Sequence, residues 1–255
     1  MIKIGAPFYI NTLPFFFPFF QKKIAFDADY SFDVPSKINE ALLKKEIDIG
    51  LISSAAFLEN KSELVSLTSF GIGAVNAVLS VQLFTKKDVH DLHEKIIGVP
   101  KASHTSIVLL QVLCKFFWKI EPQFVEFDTL YPEEFDAFLL IGNSCLTEAQ
   151  IGKPKGYMMV DLASEWKSYT GKPFIFALFA CHRMTAAAEF EEKLQLALDY
   201  SFSHLDEIVA VAKEQTGLSD ESLKTYFHTI SYKLTREHFE GLQLFGSYIH
   251  KMAQE

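Results

Sequence analysis

Apolar runs of four to nine residues and runs with helical spacing take turns along the first two-thirds of the chain. IKIGA (2–6), DIGLI (48–52) and VLSVQLFTK (78–86) read as strands, and Ile38–Lys45 within SKINEALLKK as a helix. A second series then begins. KIIGV (95–99) predicts a strand, Ser106–Trp118 a helix, PQFVEF a strand, Tyr131–Glu134 a helical turn, and DAFLLIG and YMMVDL two more strands. Alternation of this kind predicts parallel sheets covered by helices. After FIFALFA (174–180) the period changes to three and four, with Phe190, Leu194, Leu198, Leu205, Ile208, Val209 and Ala212 on one apolar face. Phe239, Leu242, Phe245, Ile249 and Met252 continue as a single stripe, while Ser219 and Thr235 stand where helix N-caps belong.

Two α/β lobes account most simply for two such series. The expected division puts 1–85 and 179–255 in the first lobe and 86–178 in the second, with the C-terminal helices packing back on the first. The chain crosses near Phe84–Lys86 and returns near Ala177–Phe179, so that two strand-like runs serve as a hinge beside an interlobe cleft.

Three of the strand-to-helix junctions carry small neutral donors: Asn11-Thr12, Ser53-Ser54 and Ser103-His104-Thr105-Ser106. A helix start offers unpaired N–H groups and the positive end of a dipole, so hydroxyls and amides placed there make an anion site. Charge sharpens the point. The chain holds 32 Asp and Glu against 24 Lys and Arg, a formal net charge of -8, and has no basic stripe interleaved with aromatics. Such a balance argues against nucleic acid and for a small carboxylate held locally by neutral donors.

Other classes are set aside on pattern. Leu13–Phe20 is rich in Phe but is broken by Pro14 and Pro18 and is far shorter than the roughly 20 apolar residues a membrane span needs. MIKIGAPFYIN does not read as an export signal, which predicts a cytoplasmic protein without a membrane role. Cys114, Cys145 and Cys181 are odd in number and far apart, the pattern of buried reduced thiols and not of a disulfide framework or a zinc site. Gly71-Ile72-Gly73 lacks the partners of a phosphate loop, no Gly-x-Ser-x-Gly elbow occurs, and Glu133-Glu134 and Glu191-Glu192 read as solvated helix faces. No metal and no cofactor is called for.

Six segments in order carry a resemblance: GAPFYINTLP (5–14), DIGLISS (48–54), LSVQL (79–83), SHTS (103–106), DAFLLIG (136–142) and DLASEWKSYTGKPFIFA (161–177). Over nearly its whole length the chain resembles the chorismate dehydratases of the futalosine route to menaquinone, whose fold is like that of the type II periplasmic solute-binding proteins. The resemblance implies cofactor-free loss of water from chorismate to give 3-[(1-carboxyvinyl)oxy]benzoate. Aromatisation supplies the driving force, so the protein's task is to position the substrate and exclude water.

Carried over position by position, Asn11 and Ser80 are the implied catalytic residues. Thr12, Ser53, Ser54, Ser103, His104, Thr105, Ser106, Asn143 and Thr170 are the implied substrate contacts. His104, Glu165 and Asp161 are of the right type to accept a proton, but a substrate carboxylate can do the same intramolecularly, and the donor-rich loops favour that option. Two departures stand out: Asn143 and Pro100 occupy positions where the family commonly has acidic residues. Trp166 and Tyr169 are expected to pack a helix end, Gly171 to terminate it and Pro173 to lead into the returning strand. Two alternatives stay open. One is an enzyme like 1,4-dihydroxy-6-naphthoate synthase, against which GAPFYINTLP argues; the other is a non-catalytic carboxylate-binding protein.

Overall fold

The computed structural model describes residues 1–101, 103–127, 135–150, 156–182 and 187–254. The helical turn expected at Tyr131–Glu134, with its Glu133-Glu134 pair, lies outside these residues. In chain order the elements are β1 (Ile2–Pro7), α1 (Leu13–Phe20), β2 (Ala28–Asp33), α2 (Pro35–Leu43), β3 (Ile49–Ser53), α3 (Ser54–Glu59) and β4 (Val65–Ala74). There follow β5 (Val81–Thr85), β6 (Ile96–Pro100), α4 (His104–Val112, continued by a π-helical turn Leu113–Trp118), β7 (Gln123–Phe127), β8 (Ala137–Ile141) and α5 (Gly142–Gln150). The remainder is β9 (Met158–Asp161), α6 (Leu162–Thr170), β10 (Phe174–Cys181), α7 (Ala187–Ser203), α8 (Leu205–Thr216), α9 (Asp220–Thr229), β11 (Ser231–Lys233) and α10 (Arg236–Gln254).

Two compact units result, Met1–Gly73 with Ile175–Thr235 and Ala74–Phe174 with Arg236–Glu255. The first is discontinuous, but its boundaries differ from 1–85 and 179–255. The chain leaves it at Gly73, inside β4, and α10 belongs to the second unit. Both differences have one physical source: a strand that runs on from one unit to the next shows no break in composition, and an apolar stripe specifies a face without naming what it packs against.

The first unit is built on a six-stranded sheet in the order β11-β4-β10-β3-β1-β2, the second on a five-stranded sheet in the order β7-β6-β8-β5-β9. Neither is all-parallel. β1 pairs in parallel with β2 and β3, and β6 with β7 and β8, as helix crossovers require, whereas β10 runs antiparallel to β3 and β5 antiparallel to β8 and β9. β10 and β5 are the strands by which the chain arrives from the other unit, so no βαβ crossover constrains their direction. The three-residue β11, in a stretch expected to be helical, adds to the edge through the N–H of Leu234 donating to the Ser69 carbonyl at 2.6 Å.

The Phe-rich Leu13–Phe20 segment plugs the core of the first unit. Phe15 is fully buried and meets Phe70, Phe179 and Tyr232 edge-on at 6.4, 5.2 and 5.3 Å. Pro18 inside α1 removes the N–H that would bond the carbonyl of Pro14. The buried hydroxyl of Ser201, on α7, donates to that carbonyl instead at 2.9 Å. No described helix is long and apolar enough to cross a membrane, and the three cysteines are buried thiols.

Candidate functional site

Strand direction gathers the candidate residues at one end of each sheet. In the first unit β1 and β3 are parallel, so the loop carrying Asn11 and Thr12 and the Ser53-Ser54 junction both lie beyond the same carboxyl-terminal edge. In the second unit β6 and β8 end together, and β5, antiparallel to β8, begins there. That edge therefore collects Ser103–Ser106 after β6, Gly142-Asn143 after β8, Ser80 before β5 and Asp161 at the end of β9. Loops beyond the carboxyl ends of strands are where ligands bind in open α/β sheets.

Whether a hydroxyl can serve a ligand depends on whether it is already spent. Four of the expected contacts are engaged within the fold. The Thr12 hydroxyl donates to the Tyr9 carbonyl at 2.8 Å. Ser53 caps α3, its Oγ accepting from the N–H of Ala56 at 3.4 Å and from Nδ2 of Asn39 at 3.1 Å, while its own N–H donates to Asn39 Oδ1. Ser54 is fully buried and donates to the Ile175 carbonyl at 2.6 Å. Thr170 donates to the Trp166 carbonyl at 2.6 Å and accepts from the N–H of Lys172, closing α6 ahead of Gly171, whose φ of 69° is the left-handed turn expected of a C-terminal glycine. A hydroxyl has one proton to donate. Thr12, Ser54 and Thr170 thus direct their protons to carbonyls of the fold, and Ser53 keeps its proton while its oxygen accepts twice.

Four of the other side chains are unspent, whereas His104, Thr105 and Asn143 already interact within the protein. Ser103 precedes α4 without capping it, in contrast with Ser53, Asp161 and Ser219, which cap α3, α6 and α9. No hydrogen bond joins the side chains of Asn11, Ser80, Ser103 or Ser106 to another described residue. Ser80, Ser103, Thr105 and Ser106 are buried, and Asn11, His104 and Asn143 half-buried. Polar side chains that bond no other described residue, as at Asn11, Ser80, Ser103 and Ser106, are the ones a ligand can complete.

Ser80 sits in a tightly determined turn. Leu79 has a φ of 65°, left-handed for a branched residue. The Ser80 carbonyl accepts from the N–H of Gly142 at 2.8 Å. Half-buried Asp161 collects the rest: Oδ2 accepts from the N–H groups of Val78 and Leu79 at 3.0 and 2.8 Å and from Gln82 Nε2 at 2.9 Å, and Oδ1 from the N–H groups of Ala163 and Ser164 at 3.0 Å each. Burial pushes the Asp161 carboxyl above the usual range, opposed by the N–H bonds of Ser164, Leu79, Val78 and Ala163. Glu165 accepts from the Trp118 indole at 3.0 Å. Gln82 and Asn39 were not singled out from sequence; the amide at 82, one strand step beyond Ser80, was the available signal. Among the described residues no group of acidic, histidine and cysteine side chains is arranged to hold a metal.

One prediction follows from the engaged set. Ser54→Ala leaves the buried Ile175 carbonyl without its donor and destabilises the protein by about 1–3 kcal/mol, read as a lowered urea midpoint, with no change in ligand affinity beyond that.

Comparison with known proteins gives the family and the fold. A family model described as menaquinone biosynthesis matches residues 2–251. The chorismate dehydratase of Thermus thermophilus is 26% identical over 260 residues, which span 95% of this chain and 93% of that protein. Among solved structures, protein AF1704 from Archaeoglobus fulgidus superposes with a TM-score of 0.80 at 18% identity, covering 100% of this chain and 98% of that one. The periplasmic aliphatic sulphonate binding protein SsuA from Escherichia coli does so with a TM-score of 0.68 at 14% identity, covering 99% and 87%. The fold is accordingly periplasmic-binding-protein-like, with two units.

Proposed function

From the premise that this chain belongs to the menaquinone biosynthesis family, we propose that it is a chorismate dehydratase, a cytoplasmic carbon–oxygen lyase of the futalosine route. It removes water from chorismate to give 3-[(1-carboxyvinyl)oxy]benzoate. The observation that supports this reading most is the unspent donor set of the second unit, Ser80, Ser103 and Ser106, all beyond strand ends in an acidic chain. Two carboxylates on one small substrate match neutral donors of that kind, which hold an anion more firmly as water is excluded.

The elimination breaks a ring C–H bond and the adjacent C–O bond, the electron pair of the first becoming ring π density and that of the second leaving with the hydroxyl. Ser80 donates to the departing oxygen, where charge grows in the transition state, and Asn11 is carried over from the family resemblance as a second polar donor. Ser103 and Ser106, with the N–H groups of the α4 start, hold a carboxylate. The proton goes to a substrate carboxylate and from it to the departing hydroxide, which leaves as water. Asp161 is a poor acceptor, because five N–H donors occupy lone pairs of which a carboxylate has about four. Glu165 is turned to the Trp118 indole. Binding geometry then supplies the effective molarity of an intramolecular base.

Purified protein incubated with chorismate and no added cofactor is expected to yield an aromatic product lighter by one water in mass spectrometry. Absence of that product together with a raised Tm in chorismate would overturn the reading in favour of a carboxylate-binding protein.

A further inference from the structure

We propose that Asp161 is the positioning residue of the site: its carboxylate holds the Val78–Leu79 turn in the conformation that presents the Ser80 hydroxyl, an assignment that rests on the dehydratase reading. One side chain bridges two elements here. Oδ1 caps α6 in the ordinary way, through Ala163 and Ser164. Oδ2 faces the other direction and receives the N–H groups of Val78 and Leu79 and the side-chain amide of Gln82. Capping needs only the first oxygen.

The second oxygen holds a costly turn. Leu79 is left-handed at φ 65°, a region that a non-glycine residue leaves unless its surroundings over-determine it. Two neighbours complete the frame. β5 and β9 place Gln82 opposite Asp161, and the N–H of Gly142 fixes the Ser80 carbonyl. With the Asp161 oxygen gone, nothing described pins the N–H groups at 78 and 79; Leu79 relaxes toward negative φ and Ser80 turns with it. A displacement of about 1 Å at a reacting group costs on the order of 10²-fold in rate.

Asp161→Ser separates the two duties. A serine hydroxyl keeps the α6 cap, as Ser53 and Ser219 do for α3 and α9, but is too short to serve both elements. With chorismate as substrate, and assayed well below the melting point that three released donors lower, folded Asp161→Ser is expected to lower kcat by about 10²-fold, with KM changed much less. In a Ser80→Ala background the same substitution is expected to have little further effect, since its influence passes through that hydroxyl. Leu79→Gly added to Asp161→Ser is expected to restore part of kcat, because glycine takes φ 65° without strain. A mere cap predicts neither the loss nor that rescue. Should Asp161→Ser fail to fold, Asp161→Asn carries the same tests, and hydrogen exchange at the amides of residues 78–80 reads the release of the turn without any substrate. Parental kcat in a folded Asp161→Ser, or equal losses with and without Ser80, would overturn the assignment. A parent protein inert toward chorismate would overturn the dehydratase reading instead, and slow exchange at 78–80 in the variant would still overturn this one.

Discussion

Ser80→Ala is expected to lower kcat for dehydration of chorismate by about 10²- to 10³-fold, the range seen when one preorganised donor to a developing oxyanion is removed. Stability should not follow. Ser80 as a residue is 3% exposed and its hydroxyl bonds no other described residue, so its loss orphans no described group and leaves a gap of one oxygen atom. The Ser80 backbone stays fixed by Gly142 and, through Leu79, by Asp161. Asn11→Ala should behave alike, for the Asn11 side chain is half-buried in the loop between β1 and α1 with no hydrogen-bond partner among the described residues. The two losses differ in where they appear. A donor that acts only on the departing oxygen lowers kcat at constant KM, whereas one that also holds a ground-state carboxylate raises KM. Steady-state kinetics with parallel thermal melts checks both variants. Parental kcat/KM in each, with normal melting, would remove Asn11 and Ser80 from the mechanism.

How far such residues can be read from sequence depends on the distance of their partners. The donor loops at 11–12, 53–54 and 103–106 were legible because strand, small polar residues and helix follow one another locally. Which donors are spent was not. Ser54 is committed to a carbonyl 121 residues away, and Thr170 is spent four residues back in a way that any solvent-facing threonine would imitate. Asp161 was visible as a carboxylate and as an N-cap, but three of its donors lie 79 to 83 residues upstream, and a left-handed leucine leaves no mark on sequence. The edge strand β2, ADYSFD, and most of β4 escaped for a different reason. β2 alternates without a strongly apolar face, and β4 carries Ser69, Gly71 and Gly73, residues of low strand preference that the sheet overrides. Gly71 earns its place by contact: a Cβ there would stand 2.4 Å from the Ala177 carbonyl oxygen on β10.

The attachment of α10 to the second unit leads to the largest expected loss of stability. Trp166, on α6, is fully buried and meets Phe174 at 5.5 Å, Phe245 at 5.9 Å and Tyr248 at 6.1 Å, all nearly edge-on. Phe245 and Tyr248 are α10 residues, and Phe117, which Trp166 meets at 6.3 Å, stacks on Tyr169 at 4.9 Å. The helix comes close enough that a Cβ on Gly241 would lie 2.1 Å from the Pro173 carbonyl oxygen. Emptying the centre of this cluster with Trp166→Ala removes both the transfer energy and the packing of a large aromatic, about 3–5 kcal/mol. Trp166→Phe should cost far less, because the indole N–H has no hydrogen-bond partner among the described residues and its removal orphans none of them. Urea denaturation gives the two magnitudes and hydrogen exchange gives their place. Protection should fall in α6, the start of β10 and α10, while β1, β2 and β3, which belong to the first unit, keep theirs. Loss of protection in β1–β3 with α10 unaffected would mean that the last helix is anchored elsewhere, and a change under about 1 kcal/mol in Trp166→Ala would mean that this cluster is not a stabilising core of the second unit.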